Sequence, residues 1–238
     1  MKYRRILLKL SGEALGGKKG FGIDPDALTI VAAPVKAAHD LGAQVGIVIG
    51  GGNIFRGITL TIATDRVYAD YMGMLATMIN ALAVQAELDR QGIASVVMSA
   101  IEMPRVTHPY SVKQARDFLD AGSVVIFAGG TGNPFFTTDT AAALRALEIG
   151  AQILIKATKV GGIYDKDPVG CSDAEFFPEL DYDTVLARNL RVMDATAVSM
   201  CRDNNLEMSV INIYDADNIK LLLTGESVGS IVRVRRDV

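Results

Sequence analysis

The sequence contains few of the residues that build disulfide frameworks or metal-binding knuckles. Cys171 and Cys201 are the only cysteines in 238 residues, too few for a disulfide framework and without the spacing of a zinc motif. His39 and His108 are the only histidines, and neither belongs to an evident Ser/His/Asp or Cys/His constellation. We therefore expect a protein of a reducing compartment, the cytoplasm, with no sign of a nucleophilic triad.

Basic runs and long apolar segments are also missing. Lys and Arg number 24 against 27 Asp and Glu, which gives a formal net charge of −3 and no basic patch for a nucleic-acid surface. The first apolar stretch, Ile6 to Leu10, is interrupted by Lys9 and is too short for a signal-peptide core or a membrane span. We expect neither nucleic acid nor a membrane among the partners.

Apolar sequence is abundant. Hydrophobic residues make up 50% of the chain, and a chain of this length can bury one large core. No linker, repeat or low-complexity segment divides it, so we predict one domain spanning residues 1–238.

Apolar runs alternate with helical patterns along the whole chain. Because most of the runs are apolar throughout, they predict strands covered on both faces, as in a parallel sheet between helices. Asp, Pro and Gly concentrate in residues 161–182, which predicts a hairpin or loop excursion over the sheet edge. The fold class is α/β, a mostly parallel central sheet sandwiched by helices in three αβα layers. The predicted strands are Arg5–Leu10, Gln44–Ile49, Ala94–Met98, Val124–Ala128, Gln152–Lys156, Met208–Ile213 and Ser230–Val234, and the predicted helices are Pro25–Leu41, Arg66–Arg90, Ser111–Asp120, Thr138–Ile149 and Ala195–Asn204.

The most informative segment is the glycine-rich loop at residues 129–139, between a predicted strand and a predicted helix. Such a loop brings backbone N–H groups and a helix N-terminus together, which favours binding of a phosphate. The alternative is an ordinary strand-to-helix turn with Asp139 as the helix cap.

A lysine inside the first predicted strand needs an anionic partner. Burying the Lys9 ammonium group without a partner would cost several kcal/mol. Either a carboxylate of the protein or a phosphate should therefore pair with it, and we favour the phosphate. Ser11 and Gly12 then offer a hydroxyl and close backbone approach. The following residues almost match a phosphate-binding P-loop, but Lys19 stands where the motif needs Ser or Thr, and no helix follows at once.

Two further predicted strands end in similar chemistry. The second strand runs into three glycines, Asn53 and a predicted helix, with Arg56 about one turn inside it. The strand ending near Lys156 leads to polar residues and glycines, and Tyr164 could lie against a flat ring. Ligands of open α/β sheets bind at the carboxyl ends of strands, so we expect these segments to converge there.

Over essentially its whole length, the chain resembles the bacterial uridylate (UMP) kinases of the amino-acid-kinase superfamily. The lysine and triple-glycine elements are shared across that superfamily, whereas the block from Gly130 to Asp139 is specific to the uridylate kinases. The motifs that carry the resemblance are Lys9-Leu-Ser-Gly12, Ile49-Gly-Gly-Gly-Asn-Ile-Phe-Arg56, Asp70-Tyr-Met-Gly-Met-Leu75, Gly130-Thr-Gly-Asn-Pro-Phe-Phe-Thr-Thr-Asp139 and Lys156-Ala-Thr-Lys159.

The resemblance implies transfer of the γ-phosphoryl group of ATP to UMP, giving UDP and ADP in pyrimidine nucleotide biosynthesis. Residues up to about 150 would serve mainly the acceptor and the Lys9 phosphate site, and the remainder mainly ATP. The implied ATP site comprises Lys9, Leu10, Ser11, Gly12, Gly52, Arg56, Thr158, Tyr164 and Asp167. The implied UMP site comprises Gly51, Asp70, Thr131, Gly132, Asn133, Pro134, Phe135, Phe136, Thr137 and Thr138.

Regulation and assembly are implied by the same resemblance. A homohexamer activated by GTP and inhibited by UTP is expected, with Gly17, Lys18, Lys19, Gly20, Phe21 and Gly22 in the GTP-responsive region. One departure is Gly161, where related sequences often carry Asp, and this leaves the adenine contacts less defined.

Phosphoryl transfer needs positioning and cations more than a base. We hypothesise that Lys9, Arg56 and Mg²⁺ neutralise the phosphates, that Asp139 orients Lys9 or a metal-bound water, and that Asp70 accepts hydrogen bonds from the UMP ribose. No dedicated protein site for the metal is expected, since the nucleotide phosphates would hold it.

Two rival interpretations remain at this point. One is an acyl-phosphate-forming relative such as a carbamate or acetylglutamate kinase, against which Asp70 and residues 133–136 argue. The other is a nucleotide or oxyanion binder without activity, such as a molybdate-storage protein or a sensor. Retention of Lys9, Arg56 and Asp139 together favours an enzyme.

Overall fold

The apolar runs form neighbouring strands of one sheet in the computed structural model, which describes residues 1–55, 65–190 and 192–235. The predicted bounds agree with the observed ones to within about two residues, and the short strands β4 and β9 were not predicted. The nine strands are β1 (Arg5–Leu10), β2 (Gln44–Ile49), β3 (Ser95–Ser99), β4 (His108–Pro109), β5 (Val124–Ala128), β6 (Ile153–Thr158), β9 (Glu179–Asp181), β10 (Glu207–Asn212) and β11 (Ser230–Arg233).

The strand order is β4-β3-β5-β2-β1-β6-β10-β11-β9. Every pair is parallel except β10 with β11, so the predicted mostly parallel sheet is confirmed. In the middle of the sheet, Leu8 of β1 lies opposite Ile47 on one side and Ile155 on the other. The carboxyl ends of β2, β1 and β6 therefore meet at one edge.

Helices cover both faces of the sheet, which confirms the predicted three-layer arrangement. Helices α1, α2 and α7 share one core cluster with Leu8, and α3 to α6 share the other with Leu7. Since side chains alternate along a strand, Lys9 falls on the Leu7 face, the one that α4 covers. The helices are α1 (Pro25–Asp40), α2 (Arg66–Arg90), α3 (Val112–Asp120), α4 (Thr138–Ile149), α5 (Tyr182–Ala187), α6 (Ala195–Asp203) and α7 (Asp217–Thr224).

Helix caps explain why several predicted boundaries are accurate. The Asp24 carboxylate accepts hydrogen bonds from the N–H groups of Asp26 and Ala27, both at 3.0 Å, and Pro25 occupies the first helical position as predicted. Ser111, predicted as the first residue of α3, is instead its N-cap. Helices α5 and α7 were not predicted.

The helix predicted directly after the three glycines is wrong for residues 51–55. The N–H groups of Ile54 and Phe55 both donate to the Gly51 carbonyl at 3.0 Å, so the chain makes tight turns there. Arg56, predicted one turn into that helix, lies outside the described residues.

The excursion predicted between residues 161 and 182 is a hairpin, as expected. Strands β7 (Ile163–Tyr164) and β8 (Phe176–Phe177) pair antiparallel in a small second sheet. The chain then returns to the main sheet as edge strand β9.

Helix α2 is the one described helix with the length and apolar composition to cross a membrane. Nine of its residues are buried, including Asn80 and Glu87, and it packs against α1, β2, β3 and β5. This arrangement is that of a core helix.

Candidate active site

Three charged side chains meet at the carboxyl edge of the sheet. Lys9 Nζ at the end of β1 lies 2.7 Å from Asp139 Oδ1 in α4, as an ion pair rather than a well-directed hydrogen bond. Lys156 Nζ of β6 lies 3.9 Å from the other oxygen, Asp139 Oδ2. All three side chains are largely buried, so their charges are weakly screened. The carboxylate partner considered for Lys9 is thus present, and one acid is flanked by two cations.

The cap of α4 is Thr137, not Asp139. Thr137 Oγ1 accepts from the N–H groups of Asp139 at 3.0 Å and Thr140 at 3.4 Å. The alternative role of Asp139 as the cap is therefore wrong. Its side chain is directed at the lysines while its backbone lies in the first helical turn.

Lys156 is a cation that the sequence analysis left without a role. Burial lowers the pKa of its ammonium group, the Asp139 carboxylate raises that pKa, and Lys9 lowers it again, with a net shift below the usual 10.5. Its Nζ also donates to the carbonyl oxygen of Val192. An incoming anion would favour the charged form of this lysine.

A cavity of about 450 Å³ opens on the Lys156 side of this charged group. It is lined by three of the residues predicted for ATP: Thr158, Tyr164 and Asp167. The Tyr164 ring has Phe176 of the hairpin at 5.3 Å between centroids. The size lies within the roughly 300–1,000 Å³ usual for small-ligand sites. Leu10 is fully buried, so only its backbone could meet a nucleotide.

A second cavity, of about 590 Å³, opens beside the N-terminus of α4. Its lining takes in most residues predicted for UMP and also Gly52, which was predicted for ATP. Gly132, Asn133, Pro134 and Phe135 belong to the same loop but do not line this cavity. The predicted residues that do line it are Gly51, Gly52, Asp70, Thr131, Phe136, Thr137 and Thr138.

Asp70 joins helix α2 to the glycine-rich loop. Its carboxylate accepts from the N–H of Phe135 at 2.7 Å and pairs with Arg66 Nε at 2.9 Å. Phe135 has a φ of 72°, unusual for a residue with a side chain, and this hydrogen bond supports it there. Asp70 is consequently fixed at the wall of the second cavity.

Close packing of the loops after β1 and β2 explains why two positions in them are glycine. A Cβ on Gly12 would lie 2.2 Å from the carbonyl oxygen of Gly50, and one on Gly51 would lie 2.7 Å from Ala76 Cβ. Only glycine allows the loops after β1 and β2 to approach each other and α2 this closely.

Comparisons with known proteins identify the family of this chain. The model of the amino acid kinase family matches residues 4–212. The chain belongs to the amino acid kinase family. The expectation of a kinase enzyme, drawn from the resemblance, is thereby confirmed.

Solved structures of UMP kinases share the fold over the full chain. The enzyme from Bacillus anthracis is 36% identical with a TM-score of 0.95, covering 100% of this chain and 99% of its own. The Ureaplasma parvum UMP kinase is 36% identical with a TM-score of 0.90, covering 98% and 100%. The uridylate kinase from Archaeoglobus fulgidus is 25% identical with a TM-score of 0.73, covering 98% and 100%.

In this kinase, Asp194 is a site residue that the sequence analysis missed. It accepts from the hydroxyls of Thr137 and of Thr140, the latter at 3.0 Å, and from the N–H of Ala197 at 2.9 Å as the N-cap of α6. Burial raises the pKa of Asp194, but these hydrogen bonds lower it more, so it stays below the usual value. The residue ties α6 to the start of α4. Its place in the N-cap position was the available signal.

Arg145 is a second missed residue, buried in α4. Its guanidinium donates to the Gly130 carbonyl at 3.2 Å and to Glu148 at 2.6 Å, and it stacks 3.7 Å from the Tyr110 ring centroid. A lone arginine in an Ala/Leu-rich helix was the available signal. Arg145 therefore anchors the glycine-rich loop at the Gly130 carbonyl.

The Gly17–Gly22 segment is joined to the loop after β2 by two hydrogen bonds between Gly22 and Asn53. Residues 12–19 form short 3₁₀ turns that break at Gly17, where φ is 53°, and Lys18 and Lys19 follow the break. No α-helix begins at these lysines, so the segment is not a P-loop. The N–H of Gly22 donates to the Asn53 carbonyl at 2.9 Å, while Phe21 is highly exposed.

Among the residues that the structure describes, no group of three or more His, Cys, Asp or Glu side chains forms a metal cluster.

Proposed function

We propose that this kinase transfers the γ-phosphoryl group of ATP to UMP, producing ADP and UDP, as a step of pyrimidine nucleotide biosynthesis. The observation that carries the proposal is the position of Lys9, Asp139 and Lys156 between two cavities of nucleotide size. The UMP kinases that match over full length supply the identity of the acceptor.

ATP would occupy the cavity beside Lys156, called the donor cavity below. UMP would occupy the cavity beside Asp70, called the acceptor cavity. The lining of the first runs from residue 156 to 210 and that of the second from 51 to 138, which supports division of the domain into an acceptor part up to about 150 and a donor part beyond it. The phosphates of both nucleotides would then point towards Lys9 and Lys156, the two cations that flank Asp139. Asp139 follows Thr138 of the acceptor cavity, and Lys156 lines the donor cavity.

The residues of the site can perform the transfer without a general base. The second pKa of a phosphate monoester is about 6, so the UMP phosphate is largely ionised at neutral pH. Lys9 and Lys156 neutralise the negative charge of the phosphoryl group during transfer. Asp139 lies between their two ammonium groups and orients them towards the phosphates. Arg56 is assigned the same neutralising role on sequence grounds, as it lies outside the described residues.

Mg²⁺ fits this site as a partner of the nucleotide rather than of the protein. Asp139, the carboxylate at the centre of the charged group, is already paired with lysine. Bound to the phosphates, the ion would offset their charge and orient them. Phosphate oxygens are the ligands that Mg²⁺ commonly uses in such sites.

Regulation and assembly are inferred from the resemblance seen in the sequence, and self-association also from one apolar surface. We propose a homohexamer in the cytoplasm, with GTP as activator through residues Gly17–Gly22 and UTP as inhibitor. Self-association is supported by an apolar stripe on α2 that is exposed in the single chain. The stripe consists of Tyr68, Tyr71, Leu75 and Ile79.

A coupled assay tests the reaction. With ATP and Mg²⁺, we expect ADP to form with UMP and little to form with CMP or AMP. Release of ADP with carbamate or N-acetylglutamate instead would identify an acyl-phosphate-forming relative. Binding of nucleotides without any ADP release would identify a sensor or storage protein.

A further inference from the structure

Two asparagines form a closed amide pair beneath the glycine loops. The Nδ2 of Asn53 donates to Asn80 Oδ1 at 3.0 Å, and the Nδ2 of Asn80 donates to Asn53 Oδ1 at 2.7 Å. Asn53 is 1% exposed and Asn80 0%. Burying an amide destabilises the fold unless its donors and acceptor all form hydrogen bonds. The pairing of Asn53 with Asn80 is therefore a specific interaction and not incidental packing.

The remaining amide protons of the pair hold two loop carbonyls. Asn80 Nδ2 donates to the Gly50 carbonyl at 2.7 Å, and Asn53 Nδ2 donates to the Gly22 carbonyl, also at 2.7 Å. On its other side the pair touches the loop after β1, because a Cβ on Gly12 would lie 2.7 Å from Asn53 Oδ1. Asn80 therefore connects the interior of α2 to the loops that surround the charged group.

Holding the Gly50 carbonyl also fixes the next N–H group. The carbonyl of Gly50 and the N–H of Gly51 share one planar trans peptide and point in opposite directions. Gly50 O points into the protein at Asn80, so Gly51 N–H points away from Asn80. Gly51 lines the acceptor cavity, and its N–H donates to no acceptor among the residues described.

We propose that Asn80 is a positioning residue that aims the Gly51 N–H at the phosphate of the acceptor nucleotide. The inference rests on the proposed function, since it assumes that UMP occupies the cavity lined by Gly51. An N–H group held in place before binding costs no reorganisation when the anion arrives. A residue of α2 with no contact to the nucleotide thus contributes to its affinity.

The test compares three variants by titration calorimetry with UMP and by steady-state kinetics. Asn80→Ala removes the donor to Gly50 and should raise the Kd and KM for UMP on the order of tenfold, while the KM for ATP changes little. Asn53→Ala breaks the same amide pair but leaves Asn80 able to bond Gly50. Met78→Ala removes a buried apolar side chain from the same helix and controls for lost stability.

The contrast between variants decides the proposal. We expect all three to melt at lower temperature, with the large rise in the UMP Kd confined to Asn80→Ala. An unchanged UMP Kd in Asn80→Ala, or an equal rise in all three variants, would overturn it. Wild-type protein that binds no UMP would instead reject the proposed function.

A measurement on the wild-type protein keeps the proposal testable if Asn80→Ala does not fold. In a ¹⁵N-labelled sample, the Gly51 amide proton should move downfield on addition of UMP, as expected for donation to a phosphate. An amide signal that stays in place at saturating UMP would contradict the assignment.

Discussion

Asp139→Asn perturbs the charged group at its centre. The substitution keeps the shape of the side chain and removes its charge, which lies 2.7 Å from Lys9 and 3.9 Å from Lys156. Unit charges about 4 Å apart attract by about 4 kcal/mol at an effective dielectric constant of about 20. Without the carboxylate, two ammonium groups face each other and no longer hold their positions.

We expect kcat to fall about 10²–10³-fold, or about 3–4 kcal/mol, the usual loss for one preorganised electrostatic group. The KM for ATP should stay the same or decrease, because both lysines become free to bind phosphate. Breaking a buried ion pair costs about 3–5 kcal/mol, and the partial exposure of this one places the expected loss of unfolding free energy at about 2–3 kcal/mol.

The assay is the ATP- and UMP-dependent release of ADP, together with denaturant unfolding. The matched control is Asp40→Asn, which removes a carboxylate at the same 2.7 Å distance from Lys36 on the exposed end of α1. That variant should keep full turnover and most of its stability. Unchanged turnover in Asp139→Asn would refute the catalytic role of the carboxylate.

Three further variants test other parts of the site. Asp70→Ala should raise the Kd of UMP more than that of ATP, and an equal change in both would count against its ribose role. Gly12→Ala should lower kcat and stability together, since its Cβ would lie 2.2 Å from the Gly50 carbonyl, and a fully active variant would show that the loops can move apart. Asp194 has a pKa below the usual 3.8, so it stabilises the fold above that pH, and the stabilisation is lost as the pH falls through the folded-state value. Asp194→Asn should therefore cost about 1–2 kcal/mol at neutral pH and flatten the acid limb of an unfolding titration, whereas an unchanged limb would contradict the hydrogen-bond account.

Much of the fold could be predicted because its signals are local. Strand β1 is an apolar run, and α1 begins at an aspartate followed by proline, so both follow from neighbouring residues alone. Short elements such as α5 carry too few residues for a pattern. The triple glycine after β2 predicts the entry to a helix, but the chain makes turns there, since consecutive glycines favour no single backbone conformation.

The candidate site could be predicted in its parts but not in its pairing. Lys9 stands out because it lies at the end of an apolar strand. The position of Asp139 at a helix start predicts a cap, which is wrong, and its role beside Lys9 is hypothesised only with the family resemblance. The approach of Lys156 to Asp139 depends on β6 lying next to β1, which sequence spacing does not encode. The same holds for Asn80, whose partner Asn53 lies 27 residues away along the chain.

A crystal structure with UMP and a non-hydrolysable ATP analogue tests the central claim most directly. The account predicts the adenine against Tyr164, the uridine ribose against Asp70, and the two phosphate chains meeting between Lys9 and Lys156. Nucleotides bound with their phosphates apart from Asp139, or both in one cavity, would contradict it.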